Sequence, residues 1–328
     1  MRQIAARAVS DRPDPGRPGK AEVVALLDLG SNASRFLLAR VVEGQGFHVI
    51  RRERVQTRLG DGPPGRLQTA AVDATLASVR RFLQNVNGRP ARVLAIATAA
   101  VREAENRDLL LRGLREREGV AVHVLTGPEE ALLGAEAALR SLPIRNGIVA
   151  DLGGSSLQLT RVRARRIGWS VSLPLGALRL TQRFLHGDPP TPAEMRALRA
   201  AVRTQVREVL PAARAVGHLV GLGGTVRSLA RMVLAAGSDD RSRHGLWLRP
   251  SDLAAVRGRL ERLPLRLRHD VGGLKADRAD TILAGVSILE ELMSLLGRDA
   301  DLMVCTAGVR DGLLWREAFP ASWPAVGA

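Results

Sequence analysis

The stretch Asp28-Leu29-Gly30-Ser31-Asn32-Ala33-Ser34 decides the fold, because it is met again as Asp151-Leu152-Gly153-Gly154-Ser155-Ser156. Each copy follows an apolar run, Val23–Leu27 or Gly147–Ala150, and leads into another, Phe36–Val42 or Leu157–Val162. Short apolar runs around a cluster of Asp, Gly, Ser and Asn read as strand–turn–strand hairpins. Two halves that each open on such a hairpin predict a duplicated α/β fold.

Working outward, Phe47–Val55 reads as a third strand, and Ala70–Leu83 as a helix with Val72, Leu76, Val79 and Phe82 at helical spacing. Val93–Ala97 and Val120–Leu125 are further strands. Pro128 opens a helix through Leu139, with Glu129 and Glu130 at its positive end. In the second half, helices are expected at Pro192–Arg214, Val226–Val233, Pro250–Leu263 and Ile282–Leu296. Strands are expected at Val216–Leu222 and Met303–Thr306, and a terminal helix after Gly308. Met1–Lys20, with three prolines and two glycines among charges and no apolar period, reads as a disordered tail. The expected units are thus 1–20 (tail), 21–135 and 136–318 (two α/β domains, the terminal helix packing back on the first) and 319–328 (tail).

The 328 residues suffice for two such domains, and 45% hydrophobic with 25% charged residues is the balance of a globular enzyme. One cysteine, Cys305, excludes an internal disulfide framework and reads as a buried small hydrophobe. No apolar run approaches the ~20 residues of a membrane span, and the start lacks a secretory apolar region, so a cytoplasmic protein is expected. The six histidines show no metal-ligand spacing.

Charge carries more information. Lys+Arg is 49 against 33 Asp+Glu, a net +16, and since Lys20 and Lys275 are the two lysines, 47 of the 49 are arginine. That excess suits a polyanion such as polyphosphate or a highly phosphorylated nucleotide, and the guanidinium fork suits phosphate oxygens. Specific nucleic-acid binding is disfavoured by 3% aromatics, no Tyr and no recognisable binding motif. The basic run Arg161–Arg166 is read either as the lining of an anion channel or as the exposed face of a return strand.

The turns themselves carry chemistry. Gly30, Ser31, Asn32 and, in the second copy, Gly153, Gly154, Ser155 and Ser156 offer backbone N–H groups and short donors to an anion, although the same residues also make plain hairpin turns. Asp28, at a strand end, suits Mg²⁺. Gly221-Leu222-Gly223-Gly224-Thr225, before a helix, is a third phosphate-compatible cluster, contributing Gly223, Gly224 and Thr225.

These three clusters in this order, with Ala97–Asn106, Gly127–Ala131 and Gly308–Gly312, make the chain resemble the exopolyphosphatase/guanosine pentaphosphate phosphohydrolase family of the sugar kinase–actin–heat-shock chaperone superfamily. The resemblance spans Val23 to Arg316. It implies two actin-like (ribonuclease H-like) domains, mixed sheets flanked by helices, with the active site in the cleft between them. It assigns Glu130 as catalytic base, Arg102 as a phosphate contact, and Asp28 and Asp151 as the residues associated with Mg²⁺. The implied substrate is polyphosphate or guanosine pentaphosphate, whose terminal phosphoanhydride is hydrolysed; a homodimer is left open. An ATP-dependent kinase of the same superfamily is argued against by the Arg102 and Glu130 segments.

Four positions depart from the family pattern. Ser155 stands for a glycine, Leu157 for a threonine, Gln158 for a glutamate and Ala33 for a serine. Gln158 can hydrogen-bond a water but cannot take a proton. The alternative expectation is therefore a catalytically weakened member that binds polyphosphate or an alarmone and regulates a partner.

Overall fold

In the computed structural model, residues 20–86, 91–210, 218–236, 243–297 and 300–320 are described. The expected tails lie outside these residues except for Lys20, Phe319 and Pro320, as does 211–217, into which the expected Pro192–Arg214 helix extends.

Two mixed sheets share one plan. In the first, β1 (Ala21–Leu29), β2 (Ser34–Val42) and β3 (Gly46–Val55) form an antiparallel meander, and β4 (Arg92–Ala97) and β5 (Val122–Val124) add in parallel on the other side of β1, giving the order β3-β2-β1-β4-β5. In the second, β6 (Gly147–Leu152), β7 (Leu157–Arg163) and β8 (Arg166–Leu173) form the meander, and β9 (His218–Gly223) and β11 (Leu302–Val304) add in parallel beyond β6. The short β10 (Trp247–Leu248) extends that edge, for an order β10-β11-β9-β6-β7-β8. The duplication reaches individual atoms. Asp28 faces Arg35 across the first hairpin and Asp151 faces Gln158 across the second. The two turns close alike, Gly30 N donating to Ala33 O at 3.2 Å and Gly153 N to Ser156 O at 3.0 Å.

β8 is among the elements that the sequence reading passes over, with the helices Arg107–Glu118 and Ala177–Phe184. Its hairpin turns on Ala164 and Arg165 at φ 49° and 62°, without the Gly or Asn that normally marks a left-handed turn. Arg165 N donates to Arg145 O, and its guanidinium donates to Leu139 O at 2.7 Å and Ile144 O at 3.2 Å. Those bonds hold a backbone conformation that costs an arginine energy. The basic run therefore lies in the β7–β8 hairpin and lines neither of the cavities described below.

Helices α1 (Thr69–Gln84) and α3 (Arg107–Glu118), with the short α2 (Ala99–Arg102) between them in the chain, cover one face of the first sheet, Val79, Phe82, Leu110 and Leu114 packing on Leu27, Leu29, Phe36 and Leu38. One face of the second sheet carries α5 (Ala177–Phe184), α6 (Pro192–Val209), α7 (Gly224–Ala236), α8 (Pro250–Glu261) and α10 (Ile282–Leu296), with the short α9 (Leu265–Arg268) between the last two in the chain. The opposite faces are covered crosswise. α4 (Gly127–Ser141), which follows the first sheet, lays Ala135, Ala138 and Leu139 on Val149, Val162 and Val220 of the second. α11 (Val309–Ala318), which follows the second sheet, lays Leu314 and Ala318 on Val24, Leu26 and Leu37 of the first. The expected boundary between residues 135 and 136 falls inside α4.

The two crossing helices touch at Gly312, where a Cβ would stand 2.1 Å from Leu133 O. Gly312→Ala should therefore cost about 1–3 kcal/mol, the usual range for overpacking. Gly258, inside α8 with nothing near its missing Cβ, is the contrasting position. There the same change should stabilise by about 0.5–1 kcal/mol, since alanine restricts the unfolded chain and suits a helix. Urea unfolding of the two variants beside the parent measures both signs.

Candidate functional site

Both hairpin turns sit at the ends of the central strands β1 and β6, and they face each other. A Cβ on Gly154 would stand 3.1 Å from Ser31 Cβ, so the turns are in contact and the glycine is what permits it. Between them lies a cavity of about 90 Å³ lined by residues of both sheets, Asp28 and Asp151 among them.

The two aspartates differ in company. Asp28 accepts from Arg35 Nη1 at 3.0 Å, and Arg310 Nε lies 3.6 Å from the same oxygen. The Asp151 carboxylate has no ion pair or hydrogen bond among the described residues, and it is flanked by Gly134 and Gly223, where a Cβ would come within 3.2 and 3.3 Å of its oxygens. Burial pushes the Asp151 carboxyl up to about 6; the charges of Arg227 and Arg35 pull it down and that of Asp28 pushes it up. A half-buried carboxylate left without a partner at a cavity wall is a place for a cation. Among the described residues no three or more His, Cys, Asp or Glu side chains cluster as a metal cage. Two carboxylates facing one cavity fit Mg²⁺, which completes its shell with water and phosphate oxygens.

The start of α4 separates its two glutamates. Thr126 and Glu129 form a capping box, Glu129 N donating to Thr126 Oγ1 at 3.3 Å and Thr126 N to Glu129 Oε2 at 2.8 Å. Glu129 is thereby spent on the helix end, and Glu130, 7% exposed, turns into the cavity. Its Oε2 accepts from Arg102 Nη1 at 3.0 Å, and Arg102 also donates to Leu125 O at 2.7 Å. Burial pushes the Glu130 carboxyl up to about 7; Arg102 opposes this, while Asp151 and Asp28 add to it. A carboxylate poised near neutrality is suited to accept a proton at physiological pH.

Of the residues singled out in the sequence, Asp28, Gly30, Ser31, Asn32, Glu130, Asp151, Gly153, Gly154, Ser156, Gly223 and Gly224 come together on this cavity. Four do not line it. Arg102 stands behind Glu130. Ser155 faces Gly60, and Thr225 packs on Gly285. Gln158, 2% exposed, donates to Ser156 Oγ at 2.8 Å and Ser172 Oγ at 2.9 Å, holding the second turn from beneath.

Four arginines that sequence reasoning did not assign also line the cavity: Arg35, Arg227, Arg278 and Arg310. Arg35 was legible, since a tight turn after Asp28 brings the residue seven places on directly opposite it. Arg310 lies in a motif already quoted and enters the cavity at the start of α11. Arg227, in the first turns of α7, and Arg278, from the short helix Ala276–Arg278, had no signal among 47 arginines. Arg278 lies over Gly224, where a Cβ would collide with its Nη2 at 2.2 Å.

Two sheets with the β3-β2-β1-β4-β5 pattern, each offering its central hairpin turn to one cavity, define the actin-like α/β class. The chain belongs to the Ppx/GppA phosphatase family, whose model matches residues 37–319. An uncharacterized protein of Streptomyces coelicolor is 36% identical, the match covering 92% of each chain. Exopolyphosphatase 2 of Mycobacterium tuberculosis is 31% identical over 88% of this chain and 95% of its own. Among solved structures, the Aquifex aeolicus member of the Ppx/GppA family superposes with a TM-score of 0.77 at 26% identity, over 93% of this chain and all of that one. An exopolyphosphatase from Cytophaga hutchinsonii shares the fold at a TM-score of 0.82 and 23% identity, over 90% and 98%. Among the described residues no helix is long and apolar enough to cross a membrane.

Gly224→Ala should displace the Arg278 guanidinium from the start of α7 and remove one charge-assisted contact to a bound phosphate. The expected loss is about tenfold in affinity for tripolyphosphate, the size of one such contact, read by calorimetric titration.

Proposed function

We propose that this protein is a phosphohydrolase that releases the terminal phosphate of inorganic polyphosphate or of guanosine pentaphosphate. The observation that carries the reading is Glu130, buried and raised toward neutrality, in one cavity with Asp28, Asp151 and both turns. Membership of a phosphatase family and the exopolyphosphatase name of the mycobacterial relative support it.

Chemically, a water oxygen forms a bond to the terminal phosphorus while the bond to the bridging oxygen breaks in line. The bridging oxygen keeps the electron pair and leaves with the shortened chain, and Glu130 accepts the proton of the attacking water. Arg102, touching Glu130 and Leu125 O rather than the cavity, is a positioning residue that fixes the carboxylate. Backbone N–H groups of the turns and of the start of α7, with Arg278 and Arg310, face the charge that spreads over the phosphoryl oxygens. Asp28 and Asp151 would hold Mg²⁺, which when bound supplies neutralising charge to the phosphate oxygens. A cytoplasmic location completes the proposal.

The weakened-binder alternative loses ground on the placement of the departures. Ala33 and Leu157 are fully buried, so the absent hydroxyls would face the core, and Gln158 lies beneath Ser156 rather than in the cavity. The changed positions therefore leave the cavity wall itself intact.

Phosphate release from polyphosphate and guanosine pentaphosphate, with Mg²⁺ and with chelator, tests the proposal directly. Glu130→Gln should lower the rate by about 10²–10⁴ and leave ligand affinity within a few-fold, because it removes a proton acceptor and keeps the shape. Loss of binding in step with the rate would make Glu130 structural instead. Arg102→Met has a distinct signature. It removes the charge that holds Glu130 down, so the carboxyl rises further above about 7. The acid limb of the kcat–pH profile should then move to higher pH, with activity partly recovered in alkaline buffer.

A further inference from the structure

A second and much larger cavity, about 1020 Å³, opens beside the reaction cavity and shares Arg35, Gly224, Arg227, Arg278, Arg310 and Asp311 with it. Nine cationic side chains and three acidic ones line it. The acids are already engaged. Asp277 pairs with Arg54, Glu53 with Arg51 at 2.6 Å, and Asp311 Oδ2 accepts from Gly308 N at 2.9 Å.

Five of the nine cations, Arg227, Arg231, Arg243, Lys275 and Arg278, are left without a carboxylate partner among the described residues. The guanidinium of Arg278, a residue 8% exposed, makes no hydrogen bond or ion pair among the described residues. Burial, then the charges of Arg35, Arg54 and Arg227, push its guanidinium down to about 9. Burial and four neighbouring arginines likewise lower Lys275. Folding has thus gathered like charges whose mutual repulsion a polyanion would relieve.

The lining also says what it does not suit. It has no Phe or Trp, and its one ring, His244, bonds Thr306 Oγ1 through Nδ1 and Ser141 O through Nε2. A guanine would find no Phe or Trp to stack on, and two of the three carboxylates that might read its N–H edge, Glu53 and Asp311, are bonded elsewhere.

We propose that this chamber seats the successive phosphates of an inorganic polyphosphate chain behind the scissile one, with Arg278 at the junction and Arg243 and Lys275 as distal contacts, so that the site selects long inorganic chains over guanosine pentaphosphate. The inference rests on the hydrolase reading above and specifies its substrate.

The test compares kcat/KM for a polyphosphate of about a hundred units, long enough for many charge contacts, with that for tripolyphosphate, in the parent and in the double variant Arg243→Ala, Lys275→Ala. Guanosine pentaphosphate is run alongside as substrate and as competitor. The long-to-short ratio should fall about a hundredfold in the double variant, through KM, as two charge-assisted contacts are lost at about tenfold each. Lys275→Arg alone should keep the ratio within about twofold, because it keeps the charge. Equal losses on both substrates, an unchanged ratio, or a parent that prefers guanosine pentaphosphate to the long chain would each overturn the inference while leaving the hydrolase reading intact. If the parent hydrolyses none of them, the hydrolase reading fails. Calorimetric affinities for the same three ligands then decide the chamber by the same ratio.

Discussion

The contact between α4 and α11 is the constraint on which the rest depends. Each helix leaves one sheet and covers the other, and they meet where Gly312 lies against the Leu133 carbonyl. Because the helices cross, neither half can close its second face alone. The same crossing delivers two chemical groups to one place. α4 begins beside the cavity with Glu130, and α11 begins there with Arg310. A packing requirement of the core and the placement of a carboxylate and a guanidinium are therefore one arrangement.

Within the cavity, charge is divided by use. Asp28 is held by Arg35 and approached by Arg310, and Glu130 is held by Arg102. Asp151 alone has no direct partner, and the opposing cations Arg227 and Arg278 are likewise without a carboxylate bonded to them. Both signs of unmet charge face the same small volume. A phosphate chain with a divalent cation carries both complements, so it can satisfy acid and base together, which neither a bare metal nor a bare anion does.

Much of this was legible because it is local. The two turns, their strands and the α10 run Ile282–Leu296 follow from short patterns of small polar and apolar residues. Gln158 and Arg35 show where locality ends. They occupy matching positions opposite Asp151 and Asp28, yet one props a turn through Ser156 and Ser172 while the other pairs with its aspartate. Register told which residue faces which, but not which side chains remain at the surface of the cavity. Arg102 shows the same limit, being carried over as a phosphate contact and found behind Glu130. Ala164 and Arg165 hid β8 because their left-handed turn is held by bonds from Arg165 to the end of α4, a tertiary cause with no local mark.

The net charge of +16 explains less than it first suggests, since many arginines are spent inside the fold. Glu291, fully buried on α10, is gripped by Arg199 and Arg203 of α6 at 2.7 and 2.9 Å, and Glu118 is gripped by Arg80. Such arginines answer a local carboxylate and project little field. Positive potential accumulates only where guanidinium groups outnumber acids that are themselves occupied, and the large chamber is such a place. A GC-biased preference for Arg over Lys would scatter arginines without regard to their neighbours. Arg54 and Arg227, set close enough that their charges lower both Arg278 and Lys275, are not scattered. That crowding is unfavourable in the empty fold, and a bound polyanion is the partner that would make it favourable.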